Sequence, residues 1–436
     1  MNIRETYINY GWIKHFLGEV LILFMVFTYI YAIQFNALRI SCNIIYGFLG
    51  IVWFFLKKLG APSNETFRFE RSTIGICMAA FSVIAVTMLS EFINLSSDMS
   101  FIWLLILTLI SFCGAYFIAE VMKIKDDTIT FENIVFYLTL AALLQMVLTI
   151  MLFTVPGFSI IAQTLLRFAD LTTEVMESHA GLRLMGFGTS FFNSGYIHGL
   201  VLIAIGAVVR QNQISSGRQL FYLLAFLFIS IISIIASRTT LVGFGLGGLL
   251  MLKTIFKHSK KNLLIVLATA AAIVGVIIAN LSEETLALFG RLLNYGFELF
   301  INYFTKHEIR TNSTDIMMNM YVFPDNLKTW LIGDGYFTDP TLPGSYYYMG
   351  TDIGYCRLLF LFGIVGTLTF CLYEMYILYQ IYLNSGTTKA FVVMVGILFL
   401  VVNLKGFADL AQYAILFTFV TKHNNLLIQH QYDKNQ

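Results

Sequence analysis

Residues 219–251, QLFYLLAFLFISIISIIASRTTLVGFGLGGLLM, decide the fold. An apolar run reaches Ala236, four residues follow (Ser237-Arg238-Thr239-Thr240), and a second apolar run begins at once with Gly243, Gly245, Gly247 and Gly248. A helix needs about twenty apolar residues to cross the ~30 Å hydrocarbon core. Two such runs joined by four residues therefore read as a transmembrane hairpin with an arginine at its tip. Glycines at this density let helices approach closely, so the arginine is held near the packed interior. A charge there is costly without an anionic partner, which makes Arg238 a candidate functional residue.

The rest of the chain agrees with this hairpin. Its 436 residues are 58% hydrophobic and 12% charged, with a mean hydropathy of +0.77, outside the range of soluble globular domains. The net charge of +2 excludes the basic field that nucleic-acid binding needs. Five cysteines (Cys42, Cys77, Cys113, Cys356, Cys371) fall in or at the edge of apolar runs without a Cys-x-x-Cys pair, so they read as small buried hydrophobes. No cysteine cluster or metal-spaced His or acidic set stands out, and neither a metal nor a cofactor is expected.

Twelve spans are predicted, which makes the chain a single all-α polytopic membrane domain over 1–436. They lie near 16–36, 39–56, 73–93, 100–122, 132–154, 194–210, 219–236, 238–256, 262–280, 353–382, 388–404 and 407–421. Two segments outside them are long: 155–193, opening with an amphipathic interfacial helix over 158–168, and 281–351, a large polar loop with short helices between the ninth and tenth spans.

Lysine and arginine set the orientation. With both termini cytoplasmic, seventeen of the 27 basic residues lie inside, twelve of them lysine. Of the ten outside, seven are arginine (Arg39, Arg167, Arg183, Arg238, Arg291, Arg310, Arg357) and three are lysine (Lys306, Lys328, Lys405). A planar guanidinium fork suits bidentate contact with phosphate or carboxylate, so an anionic ligand is expected on the outer side. Arg183 lies in a glycine-rich segment leading to Asn193, Ser194 and His198 at the sixth span; that histidine reads as a satisfied helix residue.

The large loop supplies the other candidates. His307 and Glu308 are proton-transfer groups, and Arg310 follows them. Trp330, Tyr336, Tyr347 and Tyr355 offer ring faces on which sugars stack, although an interfacial aromatic belt has the same composition. Asp352 and Arg357 sit at the start of the tenth span, spaced to pair with each other or to contact a ligand.

Three stretches resemble the O-antigen and polysaccharide polymerases of the bacterial lipid-linked export pathway, relatives of the O-antigen ligases. They are Ser237-Arg238-Thr239, the turn Leu331-Ile332-Gly333-Asp334-Gly335-Tyr336, and Thr351-Asp352-Ile353-Gly354-Tyr355-Cys356-Arg357-Leu358-Leu359-Phe360, followed by Phe362-Gly363-Ile364-Val365-Gly366. The likeness covers roughly residues 180–370. It implies a GT-C-like glycosyltransferase of the inner membrane, acting at the periplasmic face on undecaprenyl-diphosphate-linked oligosaccharide, with a chain-length regulator and a flippase as partners besides membrane lipid. In such enzymes arginines resembling Arg183, Arg238 and Arg310 hold the diphosphate. Related ligases carry a histidine near the position of Thr351 and Asp352; here Asp352 is the first choice of base, with His307 and Glu308 behind it. An O-antigen ligase and a flippase or transporter of lipid-linked glycan are the alternatives. Against the flippase, the second half does not repeat the first, and such a protein needs no large outer loop.

Overall fold

The protein is described as a computed structural model covering residues 3–60, 71–155, 157–167, 184–211, 213–258, 260–265, 268–269, 283–308, 310–342, 346–385 and 389–421. Among these residues the regular structure is helical, with isolated two-residue bridges and no strand. We number the helices α1 (Ile3–Ile30), α2 (Cys42–Leu59), α3 (Arg71–Asn94), α4 (Ser100–Asp126), α5 (Phe131–Thr154), α6 (Phe158–Leu165), α7 (Phe191–Gln211) and α8 (Ser216–Ala236). They continue as α9 (Thr240–His258), α10 (Glu283–Lys306), α11 (Asn312–Met318), α12 (Leu327–Ile332), α13 (Gly354–Ser385), α14 (Lys389–Val402) and α15 (Ala411–Ala414).

Eight of the described helices are long and apolar enough to cross a bilayer: α2, α3, α4, α5, α7, α8, α9 and α13. The chain is thus a multi-pass, all-helical membrane protein. Helix α7 is the axis of the bundle, because sixteen consecutive residues from Ser194 to Val209 are buried. Its glycines make this possible. Gly199 meets Gly243 and Gly206 meets Gly247, so α7 and α9 touch backbone to backbone, and a methyl at either contact would collide with main-chain atoms. Gly245 and Gly248 face open space, so the glycine run is only half a packing device. The five cysteines are free, two of them buried. His198 is fully buried and satisfied, bonded by Tyr31 Oη at 2.8 Å and Ser233 Oγ at 2.7 Å.

Two regions depart from the expected elements, and one expected span is mostly not described. The ninth span, 262–280, lies mostly outside the described residues. The twelfth, 407–421, is no continuous helix: it is irregular to Leu410, α-helical for four residues, then 3-10 from Ile415 to Phe419. It nevertheless runs from the Asn403 turn to a bond between Thr421 N and Ile129 O, with nearly every side chain from Ala408 to Val420 buried. Broken backbone is tolerated at membrane depth when protein surrounds it and supplies its partners. The second departure is in the 281–351 segment, whose first element, α10, is 24 residues long instead of short. Leu292 on one face packs against Ile235 and Ala236 of α8, and Gly296 lets the two backbones close in. In the 155–193 segment the helix expected over 158–168 ends at Leu165 in α6, with Ile160, Ile161 and Leu165 exposed and Ala162 buried.

Candidate functional site at the loop-bearing end

The ends of α3, α7, α8, α13 and α14 meet at one face of the bundle, and the turns between them are tied by side-chain and backbone hydrogen bonds. Thr240 Oγ1 donates to Gly195 O at 3.3 Å, Lys405 Nζ donates to Thr239 Oγ1 at 3.3 Å, and Tyr355 N donates to Asn403 O at 3.2 Å. The hairpin tip carrying Arg238 is thereby joined to the turn after α14 and to the start of α13.

The glycine turn at 331–336 is built into a broken helix. Helix α13 bends at Phe362 and Gly363, where Gly363 takes φ +65°, and the break frees backbone carbonyls in an apolar setting. The turn satisfies them: Asp334 N donates to Phe360 O at 2.6 Å and Gly335 N to Leu361 O at 3.1 Å. Ser90 Oγ of α3 lies 2.7 Å from both Ile332 O and Leu361 O, stitching the two segments together. Gly333 (φ +83°) faces the Leu361–Phe362 backbone and Gly363 faces Leu331 and Ile332. Neither position has room for a Cβ, and both conformations favour glycine. Thus two stretches far apart in sequence turn out to be halves of one joint.

The end of α3 and the turn after it anchor the loop from Gly333 to Thr338. Asp98 Oδ2 accepts from Phe337 N and Thr338 N, both at 2.7 Å, and from Thr338 Oγ1 at 3.0 Å, while its Oδ1 accepts from Ser100 N. Burial opposes the charge on Asp98, but these donors outweigh it and hold the carboxyl below the usual aspartate range. Asn94 Nδ2 donates to Gly333 O at 3.0 Å and Ser96 Oγ to Gly335 O at 2.5 Å. Sequence reasoning missed these polar residues. The available signal was the cluster Ser90, Glu91, Asn94, Ser96, Ser97 and Asp98 at the end of an otherwise apolar span.

This scaffold places Arg357. Its guanidinium lies between the rings of Phe337 at 3.7 Å and Tyr347 at 3.8 Å, with Phe407 at 5.8 Å, and the residue is 7% exposed. Ring faces stabilise a cation while leaving its edge for in-plane contacts, and Nε has no hydrogen-bond partner. Asp352 reaches solvent on one side but is crowded by protein on the others, and this desolvation raises its carboxyl above the usual range. The positive charges of Arg357 and Lys405 pull the other way without cancelling the rise.

Arg238 is almost buried and sits over the Tyr295 ring at 4.3 Å. Nη1 lies 2.8 Å from Glu298 Oε2, at an angle that makes this a charge contact and not a directed hydrogen bond, and Nε is unpartnered. Nothing in the sequence singled out Tyr295 and Glu298. Arg310 is exposed and paired with Asp315 at 3.3 Å, just before the Thr311–Thr314 capping box that starts α11.

The remaining candidates are spread over the same end. Arg183 falls outside the described residues. His307 and Glu308 are exposed at the end of α10, where His307 takes φ +56°. Trp330 donates Nε1–H to Pro324 O at 2.8 Å and stacks on Phe323. Tyr336 stacks on Tyr348, whose hydroxyl points at Asp334 Oδ2. Tyr347 covers Arg357, and Tyr355 Oη is bonded to Leu400 O at 3.0 Å. The described site is therefore Arg238, Arg357, Lys405 and Asp352 at one end of the bundle, with Tyr347 over the second arginine. Lys405 enters it from the structure, through its bond to Thr239.

Compared with known proteins, the chain matches no family model, no curated protein and no solved structure.

Proposed function

We propose that the protein is a polymerase of lipid-linked oligosaccharide repeat units, moving a glycan from one polyprenyl diphosphate carrier to another repeat unit at the periplasmic face of the bacterial inner membrane. The observation that carries this reading is a pair of nearly buried guanidinium groups, Arg238 and Arg357, at the end of the bundle that bears Asp352 and Lys405. Fixed cations in a dry site stabilise charge as it develops on a departing diphosphate without reorganising at the moment of reaction.

In the proposed step a hydroxyl oxygen of the acceptor sugar bonds to the anomeric carbon of the donor glycan. The bond from that carbon to the diphosphate oxygen breaks, and its electron pair leaves with the diphosphate toward Arg238 and Arg357. Asp352 takes the hydroxyl proton; a carboxyl with a raised pKa is a better base than an ordinary aspartate, provided the pH stays above it. Tyr347 has one face on Arg357 but is 40% exposed, which leaves ring surface for glycan stacking, whereas Tyr336 is stacked on Tyr348. In cells, Arg238→Ala and Arg238→Lys should abolish long polymer while single repeat units are still exported and the protein still inserts. Normal chain length in the Arg238→Ala strain contradicts the assignment, and accumulation of repeat units on the cytoplasmic leaflet favours a flippase.

A further inference from the structure

Arg238 is already engaged by an anion that belongs to the chain. Glu298 sits one helical turn after Tyr295 on α10, so the aromatic ring and the carboxylate share a face that meets the guanidinium. Gly296, between them, packs on Ile235 and lets that face come close to α8. The two carboxylate oxygens are used separately: Oε2 lies 2.8 Å from Arg238 Nη1, and Oε1 accepts from Asn312 N at 3.0 Å. Yet the fit is partial. The contact with Nη1 is off the hydrogen-bond direction and Nε is unpartnered, so the two-pronged edge of the guanidinium is not filled. Such an edge is satisfied by two oxygens of one phosphate or carboxylate in its plane.

We propose that Glu298 is a resident competitor in an anion slot formed by Arg238, Tyr295 and the backbone N–H of Asn312, and that a phosphate-bearing ligand binds there by displacing it. This rests on the reading of Arg238 as a diphosphate-binding residue. Displacement frees the carboxylate from α10's contact with the hairpin tip, so ligand binding loosens α10 at its Arg238 end. In the resting protein the same contact keeps the arginine from standing unpaired in an apolar setting. The competitor lowers apparent affinity by the fraction of molecules in which the slot is open.

The test is titration of the full-length protein in nanodiscs with inorganic pyrophosphate and with farnesyl diphosphate. Glu298→Gln should bind both about tenfold more tightly than the wild type, the value for a slot open in about a tenth of molecules. The gain should vanish when Arg238→Ala is added. Equal affinities in wild type and Glu298→Gln, with binding lost in Arg238→Ala, would overturn the competitor role while leaving Arg238 as a phosphate ligand. Unchanged binding in Arg238→Ala overturns the site reading and the inference together, and a gain with farnesyl diphosphate alone overturns an anion slot. A second measurement needs no variant: hydrogen exchange over 291–306 in the wild type should rise on adding pyrophosphate, and unchanged exchange contradicts displacement.

Discussion

Asp352 and Asp98 stand at the same end of the bundle and are perturbed in opposite directions, which separates their roles. Asp352 is raised by burial against the pull of Arg357 and Lys405. If it is the base, glycan transfer should fall as pH drops through a value above the ordinary aspartate pKa of ~3.9. Asp352→Asn should cost at least about 100-fold in rate and remove that acidic limb; a limb retained in the variant would assign the base elsewhere. Asp98 is lowered by the donors of Ser100, Thr338 and Phe337 despite its burial. A lowered folded pKa stabilises the native state above the unfolded value and loses that contribution as pH falls through the folded one. Asp98→Asn should therefore cost about 1–3 kcal/mol near neutral pH, read as a lower Tm, with the difference shrinking in strong acid. Arg238 was visible in sequence as a charge with nowhere to solvate. Its partner Glu298 was not, because the pairing joins residues sixty apart through the packing of α10 on α8.

At the scale of elements, the joint between the 331–336 turn and the broken α13 explains why two glycine motifs occur together. Their backbones bond to each other, and Gly333 and Gly363 each face the main chain of the other segment. Gly333→Ala should release the turn: backbone strain alone costs about 1–3 kcal/mol, and the collision with the Leu361–Phe362 main chain adds to it. The expected readout is protease sensitivity within 333–350 and a lower Tm, whereas Gly248→Ala, which faces open space, should leave both unchanged. Hydropathy found the long helices because lipid demands apolar runs of fixed length. It could not show that 407–421 is a broken segment, since an apolar composition suits a lipid-facing helix and a protein-buried one equally. Nor could it show that α10 is long, because a helix with only one apolar face has the mean composition of a loop.

For the whole molecule, the proposed side of the loop and the proposed reaction both rest on the distribution of charge. The opposite end carries Lys57 and Lys123 on Glu120, Lys125 on Glu19 and Arg218 on Glu132, a paired network with lysines as its main cations. The proposed site has arginines facing aromatic rings instead. The lysine end should be cytoplasmic: in intact cells an impermeant maleimide is expected to label Asp325→Cys and not Lys58→Cys, and the reverse pattern inverts the topology. The central claim, glycan transfer at an arginine-lined mouth, is tested most directly by incubating the purified protein with a synthetic polyprenyl-diphosphate repeat unit and resolving the products on a gel. The wild type should give a ladder of increasing length and Arg238→Ala only the starting unit. A ladder of the same length and yield from Arg238→Ala, or none from the folded wild type, would contradict the account.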